Sequence, residues 1–159
     1  MKRTTERSTI SRLDSLGISY SIHTTSILKH QLHYAMAGDS TKPMLAIVHG
    51  SPGSWVDYER YMSDSALRSH FQMVCIDRPG FGGSNKGEAL HLHQQVEIVA
   101  TVFKNAFPNK KAIWMGHSLG GPFVSMMAMK HNDLVSGLVL LSASVSPQQE
   151  APERWRKIF

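Results

Sequence analysis

Residues 115–121 read MGHSLGG, between the apolar runs KKAIW and PFVSMMAM. The spacing Gly-x-Ser-x-Gly around Ser118 is typical of a sharp strand-to-helix turn that exposes a serine hydroxyl. Such a turn needs neighbours without bulky side chains, and the third glycine lets the helix pack close to the strand. The pattern therefore predicts that Ser118 is a nucleophile. The residues predicted to form its turn are Gly116, His117, Gly120 and Gly121.

A second glycine-rich segment, HGSPG at residues 49–53, follows the apolar run PMLAIV. An acyl-transfer site needs two backbone N–H donors for the oxyanion, one from the residue after the nucleophile and one from an earlier loop. Leu119 and Ser51 are therefore the predicted donors of an oxyanion hole. Taken by itself, HGSPG is also consistent with an ordinary tight turn. Its occurrence together with the Ser118 turn favours the interpretation as part of an oxyanion hole.

Apolar runs alternate with helical repeats along the chain. PMLAIV, FQMVCI, KAIWM and LVSGLVLL are apolar throughout, which is typical of parallel strands covered on both faces. The earlier segments ISYSIHTT and HQLHYAMAG predict a β-hairpin at a sheet edge. SWVDYERYM predicts a short helix, and residues 90–107 predict an amphipathic one, because apolar residues recur there every three or four positions. We therefore expect an α/β fold with a mostly parallel sheet and flanking helices.

Composition argues against several functional classes. The net charge of +5 comes from the ends: residues 1–12 contain four Lys or Arg and one Glu, and residues 151–159 contain three and one. The rest is balanced, so no nucleic-acid-binding face is expected, and both ends are predicted to be solvated tails.

No apolar run reaches the roughly 18 residues of a membrane span and no signal peptide is evident, which favours a cytoplasmic location. The single cysteine, Cys75, lies in a predicted strand and is expected to be a buried, unreactive thiol.

Three motifs in this order and spacing, VHGSPGSW, DRPGFGGS and GHSLGG, resemble the α/β-hydrolase fold superfamily over residues 31–143. The resemblance implies a basic N-terminal lead at residues 1–20, the N-terminal part of the hydrolase core at 21–146, and an incomplete cap from 147 to 159. It also implies that Asp77 is structural. Dehalogenases and epoxide hydrolases of this superfamily have an aspartate where this chain has Ser118. The serine therefore favours esterase-like chemistry on a small acyl substrate.

The catalytic partners of Ser118 are harder to find. In this fold the triad runs in the order serine, acid, histidine. Only His131 follows Ser118, and no acid lies between them. Other histidines offer poor alternatives as the base; they are His49, His91, His93 and His117. No group of residues has metal-ligand spacing, so neither a metal nor a cofactor is expected.

These observations leave two hypotheses. In the first, the chain is the N-terminal portion of a serine hydrolase, which predicts negligible turnover of p-nitrophenyl esters by the 159 residues alone. Its last strand would then be an uncovered apolar edge that promotes self-association. In the second, the chain is a non-catalytic binding module or pseudoenzyme that keeps the first half of the fold.

Overall fold

The computed structural model describes residues 5–84 and 90–145. Six strands form one sheet in the order β1-β2-β4-β3-β5-β6. The strands are β1 (Tyr20–Ile27), β2 (His30–Ala37), β3 (Met44–Val48), β4 (Gln72–Ile76), β5 (Ala112–His117) and β6 (Val135–Leu141). The helices are α1 (Glu6–Ser15), α2 (Glu59–Ser63), α3 (Ser65–His70), α4 (Leu92–Ala106) and α5 (Gly120–Lys130). Short 3₁₀ turns precede α2 (Trp55–Tyr58) and β6 (Asn132–Leu134).

Strand pairing confirms the predicted mostly parallel sheet and its edge hairpin. The strands β1 and β2 are antiparallel neighbours, and β2 also runs antiparallel to β4. The strand β3 lies parallel to both β4 and β5, and β5 lies parallel to β6. Parallel strands end at the same edge of a sheet, so the loops that follow β3, β4 and β5 meet there.

The sheet is covered on both faces, which explains why β3 and β4 are buried at every position. One face packs against α4 and α5 through Val96, Val99, Phe103, Phe123, Val124 and Met127. The other face packs against α1, the first 3₁₀ turn and α2 through Leu13, Trp55 and Met62. The three-layer arrangement leaves the loops at the carboxyl edge of the sheet free to form a site.

The N-terminal segment is not the solvated tail that its charge predicted, at least over residues 6–15. A helix begins there because Thr5 and Ser8 form a capping box, with the Ser8 N–H donating to Thr5 Oγ1 over 3.2 Å. Its Leu13 is fully buried in the core under the sheet. Glu6 adds a polar anchor, accepting a hydrogen bond from the Trp55 indole N–H at 3.1 Å. The four basic residues among the first twelve predicted a tail, whereas most of this segment belongs to a short amphipathic helix.

The last strand differs from its prediction in burial. Its pairing with β5 is as expected, but the burial on both faces that its apolar run predicted is wrong. It forms the end of the sheet, as the hypothesis of an N-terminal portion predicted. Its four exposed apolar side chains have 39–47% of their surface accessible; they are Leu138, Val139, Leu140 and Leu141. The predicted cap at residues 147–159 lies outside the described residues. Among the helices that are described, none has the length and apolar character needed to cross a membrane.

Candidate active site

Ser118 occupies the turn between β5 and α5 with a φ of +50°, a backbone conformation that residues other than glycine rarely adopt. Backbone hydrogen bonds hold it there. The Ser118 N–H donates to the Leu141 carbonyl at 3.1 Å, and the Ser118 carbonyl accepts from the N–H groups of Gly121 at 2.9 Å and Ser144 at 3.1 Å. Strain at a serine, maintained by contacts on both sides, matches the geometry expected of a nucleophile turn.

The three glycines of the turn lie where no side chain fits. A Cβ on Gly116 would collide with the carbonyl oxygen of Gly120 and lie 2.7 Å from Val124 Cγ2. A Cβ on Gly120 would collide with the Val48 carbonyl oxygen, and one on Gly121 with the Cβ of Ala143. Gly120 and Gly121 therefore let the start of α5 approach β3 and the segment after β6.

The loop after β3 faces the Ser118 turn. Val48, the last residue of β3, is in register with Gly116 of β5. As a result Gly50 lies against the Ser118 turn: a Cβ added to Gly50 would be 3.0 Å from Ser118 Cβ and 3.2 Å from the His117 carbonyl oxygen. The structure thus brings the loop with Ser51 and the turn with Ser118 to one place.

A cleft of about 400 Å³ opens between these two loops. This volume is within the range of small-molecule sites. The lining residues are Gly50, Ser51, Pro52, Asp57, Tyr58, Tyr61, His117, Ser118 and Leu141. The aromatic wall from Tyr58 and Tyr61 was not predicted to form part of a site, since SWVDYERYM indicates only a short helix.

His49 is a structural residue beneath the cleft. It is buried, its Nε2 accepts a hydrogen bond from the Arg78 backbone N–H at 3.0 Å, and its Nδ1–H donates to the Gly50 carbonyl at 2.7 Å. Burial, with a smaller effect from the Arg78 charge, lowers the pKa of His49 to about 4. Because both ring nitrogens are engaged with backbone groups, His49 has no nitrogen left to take a proton from Ser118.

Asp77 is likewise structural in its contacts. Its buried carboxylate accepts from the Trp55 N–H at 2.5 Å, the Gly83 N–H at 2.7 Å and His33 Nδ1 at 2.9 Å. The hydrogen bond with Asp77 is the main cause that raises the pKa of His33. His33 also lies 3.3 Å from Glu6 of α1. Asp77 thereby ties the loop after β4 to the first 3₁₀ turn and to β2. No sequence pattern predicted the role of His33.

A family model for the alpha/beta hydrolase fold matches residues 43–159. The chain belongs to this family. Its six-stranded sheet, with helices on both faces and the Ser118 turn between β5 and α5, is the corresponding part of an α/β hydrolase.

Curated relatives of this α/β hydrolase include enzymes with different names. A pimeloyl-[acyl-carrier protein] methyl ester esterase of Vibrio vulnificus (strain YJ016) is 35% identical over 127 residues, which are 80% of this chain and 46% of that protein. Epoxide hydrolase 3 of Xenopus tropicalis is 28% identical over 116 residues, 71% of this chain and 31% of that protein. A solved structure of a bacterial membrane phospholipase A superposes with a TM-score of 0.78 and 25% identity, covering 91% of this chain and 46% of that one. The chain spans less than half the length of these proteins.

No described histidine completes a catalytic pair with the Ser118 hydroxyl by a hydrogen bond. His131 caps the far end of α5 and lies 3.1 Å from Glu97 of α4. The eleven residues of α5 put it roughly 16 Å from the Ser118 turn. His117 lines the cleft beside Ser118 without a hydrogen bond to it in the described part of the chain. Within residues 5–84 and 90–145, no group of three or more His, Cys, Asp or Glu could hold a metal ion.

The environment of His49 predicts a pH dependence of stability. Unfolded His49 binds a proton below its ordinary pKa of 6.5, whereas the folded chain keeps it neutral down to about pH 4. The unfolded state therefore binds more protons in this window, and the free energy of unfolding should fall by about 1.4 kcal/mol per pH unit on acidification. Urea unfolding of the native chain and the His49→Gln variant, compared at several pH values from 4.5 to 7, measures this term. Parallel pH profiles for the two proteins would contradict the expected role of His49.

Proposed function

We propose that Ser118 is the nucleophile of a serine hydrolase that acts on an ester-like acyl substrate. The proposal rests on one observation above all: Ser118 holds a φ of +50° at a strand-to-helix turn that opens into a cleft. The Ser118 oxygen would attack the acyl carbon, and the backbone N–H groups of Ser51 and Leu119 would hold the oxyanion that forms. Neither N–H has a hydrogen-bond acceptor in the described residues.

The base and the acid of the reaction are assigned to polypeptide outside these 159 residues. His49 is engaged on both nitrogens, and His131 lies at the opposite end of α5. A chain with the nucleophile and the oxyanion donors but without a base is expected to turn over esters negligibly, because the serine hydroxyl is a weak nucleophile at neutral pH.

An ester substrate is favoured over an epoxide by the residue at the turn. One relative is named an epoxide hydrolase and another a methyl ester esterase. The resemblance that identifies the fold implies an aspartate nucleophile for epoxide hydrolysis, whereas residue 118 is serine. The cleft combines the Tyr58 and Tyr61 rings and Leu141 with the polar residues Ser51 and Ser118, which suits an acyl group beside a polar carbonyl.

A covalent fluorophosphonate probe tests the proposal. We expect one adduct on Ser118, located by mass spectrometry, in a chain extended with its native downstream sequence. The Ser118→Ala variant should carry no adduct. Ser51→Ala is the matched control and should still be labelled, because the proposed donor at residue 51 is the backbone N–H and not the hydroxyl.

Two outcomes would contradict the proposal, the first its nucleophile and the second the location of its base. A folded extended chain without an adduct at Ser118 would favour the alternative, a non-catalytic binding module that retains the fold. Rapid hydrolysis of p-nitrophenyl acetate by the 159-residue chain, lost in Ser118→Ala, would instead place the base within these residues.

A further inference from the structure

Arg78 is a buried charge with an unusual set of partners. Only 4% of its surface is exposed, and no carboxylate of the described residues lies within ion-pair distance of its guanidinium. Its Nε–H has no hydrogen-bond partner in the same part of the chain. The neighbouring Asp77 forms no ion pair with it, and that carboxylate instead accepts hydrogen bonds from backbone N–H groups and His33. Burying an unpaired cation is costly, so a specific use for this one is expected.

The donors of Arg78 converge on one peptide group of the loop after β3. Its Nη2–H donates to the Gly50 carbonyl at 3.0 Å. Its backbone N–H donates to His49 Nε2 at 3.0 Å, which leaves the His49 Nδ1–H to donate to the same carbonyl at 2.7 Å. The guanidinium carbon lies over the Phe81 ring, 4.3 Å from the ring centroid, in a cation–π contact that holds the guanidinium plane in place. The Gly50 carbonyl is thus held by two donors.

Anchoring this carbonyl also orients the N–H group of Ser51. The two groups belong to one peptide unit, and in a trans peptide they point in opposite directions. The Gly50–Ser51 bond is trans, since the cis bond of this loop is the next one, between Ser51 and Pro52. With the Gly50 carbonyl held by His49 and Arg78, the Ser51 N–H points away from both of them. Gly50 itself adjoins the Ser118 turn, since a Cβ added to it would lie 3.0 Å from Ser118 Cβ.

We propose that Arg78 is a positioning residue for the oxyanion hole: its guanidinium holds the Gly50 carbonyl so that the Ser51 N–H is aimed at the acyl oxygen. The inference rests on the proposed function of Ser118 and Ser51. A hydrogen bond from a cation also polarises the peptide group, which makes its N–H a stronger donor. Burial lowers the pKa of Arg78 to about 10, so the charge persists at neutral pH.

Nuclear magnetic resonance of the 159-residue chain tests the anchoring directly. In the native chain we expect a rigid Ser51 amide with an order parameter of about 0.85, falling below about 0.6 in Arg78→Met. The Gly50 carbonyl carbon should shift at the same time, and amides of β3 and β5 should keep their order. Arg78→Lys, which retains the charge but lacks the fork of donors, should restore part of the Ser51 order. Arg60→Met, the loss of an exposed charge on α2, is the control and should change neither signal.

An ordered Ser51 amide in Arg78→Met would overturn the inference. If Arg78→Met does not fold, the native chain still decides the matter, because the hydrogen bond predicts a scalar coupling between the Arg78 guanidinium nitrogen and the Gly50 carbonyl carbon. Absence of that coupling would equally overturn it.

In the extended chain, Arg78→Lys is also expected to slow fluorophosphonate labelling of Ser118 by about tenfold, less than the roughly 100-fold cost of removing a donor. An unchanged labelling rate counts against the inference, whereas a native chain that never labels counts against the function of Ser118.

Discussion

Replacing Gly116 by alanine is expected to lower the free energy of unfolding by about 3 kcal/mol or more. The new Cβ would collide with the Gly120 carbonyl oxygen and lie 2.6 Å from the carbonyl carbon of the same residue. Both atoms belong to the first turn of α5, so relief requires a shift of the helix and not a rotation of a flexible side chain. Urea unfolding followed by circular dichroism measures the loss, and the yield of soluble protein reports it independently.

Gly137→Ala is the matched control for this substitution. Gly137 lies in the exposed edge strand β6, where an added Cβ would meet only Ile113 side-chain carbons, at 3.6 Å and beyond. Its φ is not in the positive range, so alanine is expected to be neutral or to stabilise the chain by up to about 1 kcal/mol. Equal destabilisation by both substitutions would contradict the close approach of α5 to the end of β5.

Replacing Asp77 by asparagine is expected to cost about 3 kcal/mol of stability. The two carboxylate oxygens accept hydrogen bonds from the Trp55 N–H, the Gly83 N–H and the His33 ring. Asparagine has the same shape but only one acceptor oxygen, so its NH₂ group would face a donor and leave it unsatisfied in the interior. Urea unfolding at pH 7 measures the change in free energy.

Asp64→Asn controls for the loss of a carboxylate. Asp64 is exposed and caps α3 by accepting from the Leu67 N–H at 2.8 Å, a role in which asparagine is as good as aspartate. Its stability should be unchanged within about 0.5 kcal/mol. A second readout is specific to Asp77: the pKa of His33, measured by NMR, should fall in Asp77→Asn because its main cause of elevation is gone. An unchanged pKa of His33 in Asp77→Asn would exclude the buried pair.

The hydrogen bond between His33 and Asp77 also makes the free energy of unfolding depend on pH. A histidine whose pKa is raised in the folded state stabilises the protein below its unfolded pKa of 6.5. That contribution is lost as the pH rises through the folded pKa. The contribution of His33 therefore falls as the pH rises, whereas the contribution of His49 rises with pH and is complete above its unfolded pKa of 6.5.

The strands and the main helices were predictable because local patterns agree with the final packing. Apolar runs such as PMLAIV and FQMVCI become strands with helices on both sides, and the three-to-four-residue spacing of α4 matches its buried face. The turn around Ser118 was predictable for a different reason. Its conformation restricts which residues fit on either side, so the glycines appear in the sequence itself.

Other features could not be predicted, since they depend on residues far apart in the chain. The burial of Leu13 depends on a surface made by Trp55 and the sheet, and the basic composition of the first twelve residues masked it. The Arg78 contact with Gly50 spans 28 residues, and the His33 contact with Asp77 spans 44. Neither pairing follows any helical or strand period. The apolar run of β6 predicted burial that the structure does not show, because such a run does not specify what covers it. Only the hypothesis of an N-terminal portion predicted its exposed edge.

The hydrogen bonds around Ser118 also constrain when its turn can form during synthesis. The β1–β2 hairpin requires only neighbouring residues, so it is free to pair early as the chain leaves the ribosome. Ser118, by contrast, is held by the Leu141 carbonyl and the Ser144 N–H, more than twenty residues later in the chain. Until those residues emerge, the only one of these hydrogen bonds that can form is the local one from the Gly121 N–H to the Ser118 carbonyl. The backbone of Ser118 is therefore fixed only after the strand and the helix that flank it, β5 and α5, have been synthesised.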